Sequence, residues 1–147
     1  MTSSGAVFDQ VNLVVRDMEA ALAFYRRLGL TIPTPPAWPP GSAARHAEVA
    51  MPNGVRLEFD NHEMAALWHA GRREPSEGGR PVLGFALASR QEVDERYAEL
   101  TAAGHVGRQP PYDAFWGARY AIVRDPDGND VGLMSPADPA KRFTPQP

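Results

Sequence analysis

Apolar and polar residues alternate near the start of the chain. Val11, Leu13 and Val15 are interleaved with Gln10, Asn12 and Val14, the period-two pattern of a strand with one covered face. After Asp17 the period changes. Met18, Ala21, Leu22, Tyr25 and Leu28 recur at helical spacing, with Asp17 as N-cap and Gly29 as the stop. The same order returns further on. Phe85 and Leu87 lead to Ser89-Arg90-Gln91-Glu92, a capping box, and Val93, Tyr97 and Leu100 then mark one face of a helix closed by Gly104. A short strand is predicted after each helix, near Ile32 and Val106, and then a hairpin, over residues 46–60 and 120–134. Met64, Leu67 and Trp68 predict a short helix over residues 61–70, followed by a polar, glycine-rich linker over 71–80. Residues 137–147 carry little apolar surface and are expected to form a loosely attached tail.

The recurrence is visible residue by residue. A shift of 74 lays Ala44 on Ala118, Arg45 on Arg119, Ala47 on Ala121, Val49 on Val123, Pro52 on Pro126 and Gly54 on Gly128. It also superposes two hairpin turns, Asn53-Gly54 and Asp127-Gly128, each tolerant of positive φ. Two copies of one unit explain this better than chance. The expected fold is α+β, with two tandem βαβββ modules (about 7–60 and 81–136) in one domain of residues 1–136, forming a curved mixed-sheet cleft.

Strand parity then sorts the side chains. In the first module Val11, Leu13, Val15, Val55, Leu57 and Phe59 must cover the helix, so Gln10, Asn12, Arg56, Glu58 and Asp60 share the other face, joined by His46 and Glu48. In the second, Phe85, Leu87, Val131 and Leu133 are helix-side. That leaves Gly84, Ala86, Ala88, Asp130, Gly132 and Met134 opposite, beside Tyr120 and Ile122. One face is polar and the other small, a combination suited to a flat or bulky ligand. Trp38, Trp68 and Trp116, with Tyr112 and Phe115, fall in segments expected to border the cleft mouth. Each polar residue taken alone reads first as solvated sheet face, and only the set points to a ligand. Trp68, at helical spacing from Met64, reads equally as packing for the linker helix, and His62, His69 and His105 read as surface histidines.

Composition acts mainly by exclusion. The 147 residues are 43% hydrophobic and 22% charged, as in an ordinary globular domain, and the absence of cysteine removes disulfide and thiolate chemistry. Fifteen basic against 18 acidic residues leave a net charge of -3 with no basic block, so nucleic acid and anionic membrane are not expected partners. No stretch approaches the ~18 apolar residues of a spanning helix, and residues 1–6 lack signal-peptide features, so a cytoplasmic protein is expected.

Val11-Asn12-Leu13-Val14-Val15-Arg16-Asp17, then Phe24-Tyr25 and Leu28-Gly29-Leu30, then Gly54-Val55-Arg56-Leu57-Glu58-Phe59, and finally Arg124-Asp125-Pro126-Asp127-Gly128-Asn129 carry a family resemblance. Over nearly the whole chain up to Pro136, the sequence resembles the vicinal oxygen chelate superfamily of glyoxalases, extradiol dioxygenases and bleomycin-resistance-type proteins. That fold hosts enzymes and proteins that only bind drugs. Its metal enzymes are marked by four positions, which the resemblance places on Gln10, Glu58, Gly84 and Gly132. Only Glu58 is a usual ligand, a catalytic site needs at least three donors, and His46 from the third strand adds one. The expectation is no metal and no cofactor.

The resemblance therefore implies a metal-independent binding protein, a homodimer sequestering a bulky aromatic or polycyclic natural product as in antibiotic self-resistance. Trp38, Trp68, Trp116, Tyr112 and Phe115 would stack on the ligand. Gln10, Asn12 and Glu58 would hydrogen-bond it, with His46 and Tyr120 alongside and Gly132 leaving room. The alternative is a metal-free lyase, isomerase or cyclase with Glu58 or His46 as general base.

Overall fold

The computed structural model describes residues 10–68 and 82–144. The chain divides into two units, Met1–Pro75 and Ser76–Pro147. The first unit runs β1 (Gln10–Val15), α1 (Met18–Arg27), β2 (His46–Ala50), β3 (Arg56–Asn61) and α2 (His62–Trp68). The second runs β4 (Val82–Ala86), α3 (Arg90–Ala102), β5 (Gly107–Asp113), β6 (Arg119–Arg124), β7 (Asp130–Met134) and a single 3-10 turn, Pro139–Lys141. The fold is mixed α+β, with one three-stranded and one four-stranded sheet, each combining parallel and antiparallel pairs.

In the first unit β3 is the middle strand, parallel to β1 and antiparallel to β2. Helix α1 starts where Asp17 accepts a hydrogen bond from the Ala20 N–H at 3.1 Å, and it buries Met18, Ala21, Leu22, Phe24 and Tyr25. The Tyr25 ring lies 5.1 Å from that of Phe59 on β3, so helix and sheet meet through these two aromatics. Truncating Phe59 to alanine removes the sheet's half of that contact, a loss of about 3–5 kcal/mol. The strand expected near Ile32 does not form. Pro33, Pro35 and Pro36 lack the N–H a ladder needs, and in its place stands one bridge, Ala37 to Arg45. Ile32 is nonetheless buried, and its carbonyl accepts from Arg26 Nε at 2.9 Å. The first unit is thus βαββ rather than βαβββ.

The second unit has strand order β4-β7-β6-β5. Ser89 caps α3 by accepting from the Glu92 N–H at 3.1 Å, and Glu92 reaches back to the Ala88 N–H at 2.9 Å rather than to that of the cap residue. Val93 and Leu100 are buried on its inner face. Helix α2 ends at Trp68 with Met64 and Ala65 buried; the Trp68 side chain, His69 and the 71–80 linker lie outside the described residues. Residues 137–144, expected to trail from the body, are instead pinned to the turn between β5 and β6. The Asp138 N–H donates to the Gly117 carbonyl and the Phe143 N–H to the Phe115 carbonyl, both at 3.0 Å. Among the described residues no helix is long and apolar enough to cross a membrane.

The two hairpins keep the 74-residue correspondence: His46 pairs with Asp60 and Glu48 with Glu58, as Tyr120 pairs with Met134 and Ile122 with Gly132. The first strands do not. Glu58 pairs with Asn12 and Gly132 with Gly84, so Gly132 follows Glu58 by 74 residues while Gly84 follows Asn12 by 72. The β1 residue beside Glu58 is therefore Asn12, and Gln10 pairs with Arg56.

Candidate functional site

Register places Gln10, Asn12 and Val14 of β1, Arg56, Glu58 and Asp60 of β3, and His46, Glu48 and Ala50 of β2 on one face. Asp60 is only 3% exposed. A charge so deeply buried needs partners, and it has them: His46 Nδ1 lies 2.6 Å from Oδ1, and Asn12 Nδ2 donates to Oδ2 at 2.8 Å. Because an ionised carboxylate only accepts, Nδ1 is the protonated nitrogen in this hydrogen bond, and in the neutral ring Nε2 carries the lone pair. Glu58, 7% exposed, lies between Asn12 and Glu48, with Arg56 Nε 3.7 Å from its Oε2. Arg56 Nη2 donates to Gln10 Oε1 at 2.7 Å. One ligating atom each from His46, Glu48 and Glu58 lie within 4.8 Å of one another. Asn12 Oδ1 is buried without a hydrogen-bond partner.

The corresponding face of the second unit is aromatic and small. Val82, Gly84 and Ala86 lie beside Asp130, Gly132 and Met134, with Tyr120, Ile122 and Arg124 beyond. The Trp116 ring meets those of Phe115 and Tyr120 edge to face at 5.1 and 5.4 Å, and Tyr112 meets Tyr120 at 6.2 Å. Trp116 Nε1 donates to Met134 Sδ at 3.3 Å. A Cβ on Gly132 would stand 2.8 Å from the Tyr120 hydroxyl, so glycine admits that hydroxyl, whereas a Cβ on Gly84 would meet nothing within 4 Å. Burial pushes the Tyr120 phenol above its ordinary pKa, and the neighbouring Tyr112 and Asp130 add to the shift.

Four of the aromatic candidates, Tyr112, Phe115, Trp116 and Tyr120, come together here, although Tyr112 lies on β5 rather than in an irregular segment. Trp38 stands in the first unit beside the Ala37–Arg45 bridge, 63% exposed. Parity puts Asp60 and Glu48 on the polar face but does not by itself mark them as site residues. Their signal was the hairpin register: about the Asn53-Gly54 turn, position 48 falls opposite 58 and 46 opposite 60.

The four positions that mark metal enzymes of the resembling superfamily do not fit a metal in this chain. Gly84 and Gly132 offer no donor, the space over Gly132 holds the Tyr120 hydroxyl, and Gln10 Oε1 accepts from Arg56. The polar face nevertheless brings a carboxylate, Glu48, that the donor count from sequence omitted.

A family model described as the Glyoxalase/Bleomycin resistance protein/Dioxygenase superfamily matches residues 7–133, and the chain belongs to that superfamily. No curated protein matches it. Among solved structures it is similar to a glyoxalase/bleomycin resistance protein/dioxygenase from Nocardioides, at 28% identity and TM-score 0.66, covering 99% of this chain and 93% of that one. It is also similar to a family enzyme from Burkholderia phytofirmans PsJN, at 22% identity and TM-score 0.71, covering 88% and 98%. A lactoylglutathione lyase from Agrobacterium tumefaciens matches at 20% identity and TM-score 0.59, covering 90% and 96%. At the two lower identities the likeness is one of fold.

Proposed function

We propose that the protein binds and sequesters a planar aromatic or polycyclic small molecule on the aromatic face of its second unit, without a metal held by the superfamily's four-position set. The observation that carries this is the edge-to-face cluster of Phe115, Trp116, Tyr120 and Tyr112 beside a strand pair floored by Gly84 and Gly132. Tyr112 and Phe115 are exposed, and the surface over Gly84 is open. Exposed rings of fixed geometry offer large apolar area at low entropic cost, and small residues let a flat molecule approach the backbone. Titrating intrinsic tryptophan fluorescence with planar aromatic antibiotics tests this. Trp116→Ala is expected to weaken binding by about 1–3 kcal/mol; unchanged affinity in that variant counts against the proposal. We read the assembly as a homodimer, since each sheet ends in edge strands that call for cover, β1 and β2 in one and β4 and β5 in the other. Sedimentation at micromolar concentration should give twice the 16.0 kDa of one chain.

A second reading is favoured by the His46–Asp60 hydrogen bond, which fixes the ring through Nδ1 and leaves Nε2 for a substrate proton when the ring is neutral: a metal-free lyase, isomerase or cyclase with His46 as proton acceptor. Glu58 suits the role less, because its carboxylate already engages Arg56. Recovering the bound molecule and weighing it decides between the readings. Chemical change with wild type and none with His46→Gln supports catalysis.

A further inference from the structure

The polar face of the first unit sets His46 and Glu58 beside a third group, Glu48, that neither reading uses. Glu48 and Glu58 stand directly opposite on adjacent antiparallel strands, an arrangement in which like charges repel. Arg56 Nε, 3.7 Å from Glu58 Oε2, offsets part of that repulsion. His46, two residues before Glu48 on the same face, brings an imidazole beside the two carboxylates, and one ligating atom from each of the three lies within 4.8 Å of the others. Asp60 holds His46 through Nδ1 at 2.6 Å, the outer carboxylate that metal-bound histidines characteristically carry. A separate observation points the same way: next to Glu58 on β1, the buried Asn12 Oδ1 has no hydrogen-bond donor. A water bound to a cation would supply one.

We propose that His46, Glu48 and Glu58 form a binding site for a first-row divalent cation such as Zn²⁺ or Mn²⁺, with Asp60 as the positioning residue for His46. The chemistry of the donors sets the class, since imidazole with carboxylates suits these ions better than it suits Ca²⁺ or Cu⁺. The site is distinct from the superfamily's four positions, with which it shares only Glu58. Two donors about 2.1 Å from one ion stand at most about 4.2 Å apart, so the donors must close slightly on binding. Glu48 is exposed and can supply that movement, whereas Glu58 is buried and fixed. Three protein donors leave coordination positions open for water or a ligand oxygen.

Isothermal titration of ZnCl₂ and MnCl₂ into the full chain, stripped with EDTA, tests the site without reference to any activity. One equivalent is expected to bind. Glu58→Gln and His46→Ala should each lose it at least a hundredfold, and Asp60→Asn should weaken it about 10–100-fold through the ring it positions. Gln10→Ala should change nothing, because Gln10 is outside the set. Glu48→Gln, at an exposed position that folding does not depend on, should weaken binding at least tenfold and guards against misfolding of the buried variants. In ¹⁵N spectra Zn²⁺ should shift His46 Nε2 while Nδ1 keeps its proton. No binding to the wild-type chain, or binding that survives Glu48→Gln and Glu58→Gln unchanged, overturns the proposal. A His46 ring that titrates identically with and without Zn²⁺ also overturns it and leaves the ring to the proton-acceptor reading. The aromatic face is in the other unit, so failure here leaves the binding of planar molecules untouched.

Discussion

His46 and Asp60 face each other across the β2–β3 ladder and share a 2.6 Å hydrogen bond between the imidazole Nδ1 and a carboxylate that is almost wholly buried. Asn12 on β1 clamps the second carboxylate oxygen, so three strands meet at one side chain. Asp60→Ala leaves the His46 and Asn12 donors without an acceptor and, because both are half-buried, is expected to destabilise the protein by about 1–3 kcal/mol in all. Urea unfolding measures that loss. Asp60→Asn keeps the shape but leaves one neutral oxygen where two charged ones served His46 and Asn12, and ring ¹⁵N shifts should then show a weakened Nδ1 hydrogen bond.

Gly132 and Tyr120 define the second unit's face in a comparable way. Alanine at position 132 places its methyl 2.8 Å from the Tyr120 hydroxyl, so the ring must swing. The colliding atom is the far end of a side chain, which keeps the expected change in stability within about 1 kcal/mol. The near-ultraviolet circular dichroism of the aromatic cluster should change all the same. Combining Gly132→Ala with Tyr120→Phe removes the colliding oxygen and should restore most of the signal, a coupling that a double-mutant cycle measures.

The Tyr120 phenol also sets an alkaline dependence. Its pKa is raised above the ordinary 10.0, first by burial and then by Tyr112 and Asp130, so the folded state favours the protonated form. Between the unfolded and folded values the native state binds more protons than the unfolded one, and stability falls as pH rises through that window. The contribution is fully present below about pH 10. Thermal unfolding followed against pH should show this alkaline loss in wild type and a shallower one in Tyr120→Phe.

Gly117 fixes the C-terminal segment. Its φ is 94°, and a Cβ there would collide with the Asp138 carbonyl, so both backbone and space require glycine. Gly117→Ala is expected to cost at least about 1 kcal/mol from strain alone. Faster proteolysis after Pro136, with the sheet's exchange-protected amides retained, would locate the damage.

Much of this architecture was legible from periodicity. The Asp17 and Ser89 caps, the faces of α1 and α3 and the parity of both hairpins follow from apolar spacing, because burial under a helix dictates them. The missing strand at Ile32 was not legible from its apolar residue, since the neighbouring prolines decide against it through their absent N–H groups. The two-residue offset between β1 and β4 was hidden because alternation survives an even shift: Gln10 and Asn12 point to the same face, and only the ladder shows which one meets Glu58. The aromatic cluster was half visible. Tyr112, Phe115 and Trp116 announce themselves by composition, but their meeting with Tyr120 depends on Gly132 making room, a tertiary fact.

The most direct measurement of the central claim is a fluorescence titration of wild type and Gly84→Val with a panel of planar aromatic antibiotics. A Cβ at Gly84 meets nothing within 4 Å, so valine should fold with unchanged or slightly raised stability while filling the open surface beside Gly132. Saturable quenching is expected in wild type, weakened at least tenfold in Gly84→Val and likewise in Trp116→Ala. Saturable binding that both variants retain at full strength would contradict it.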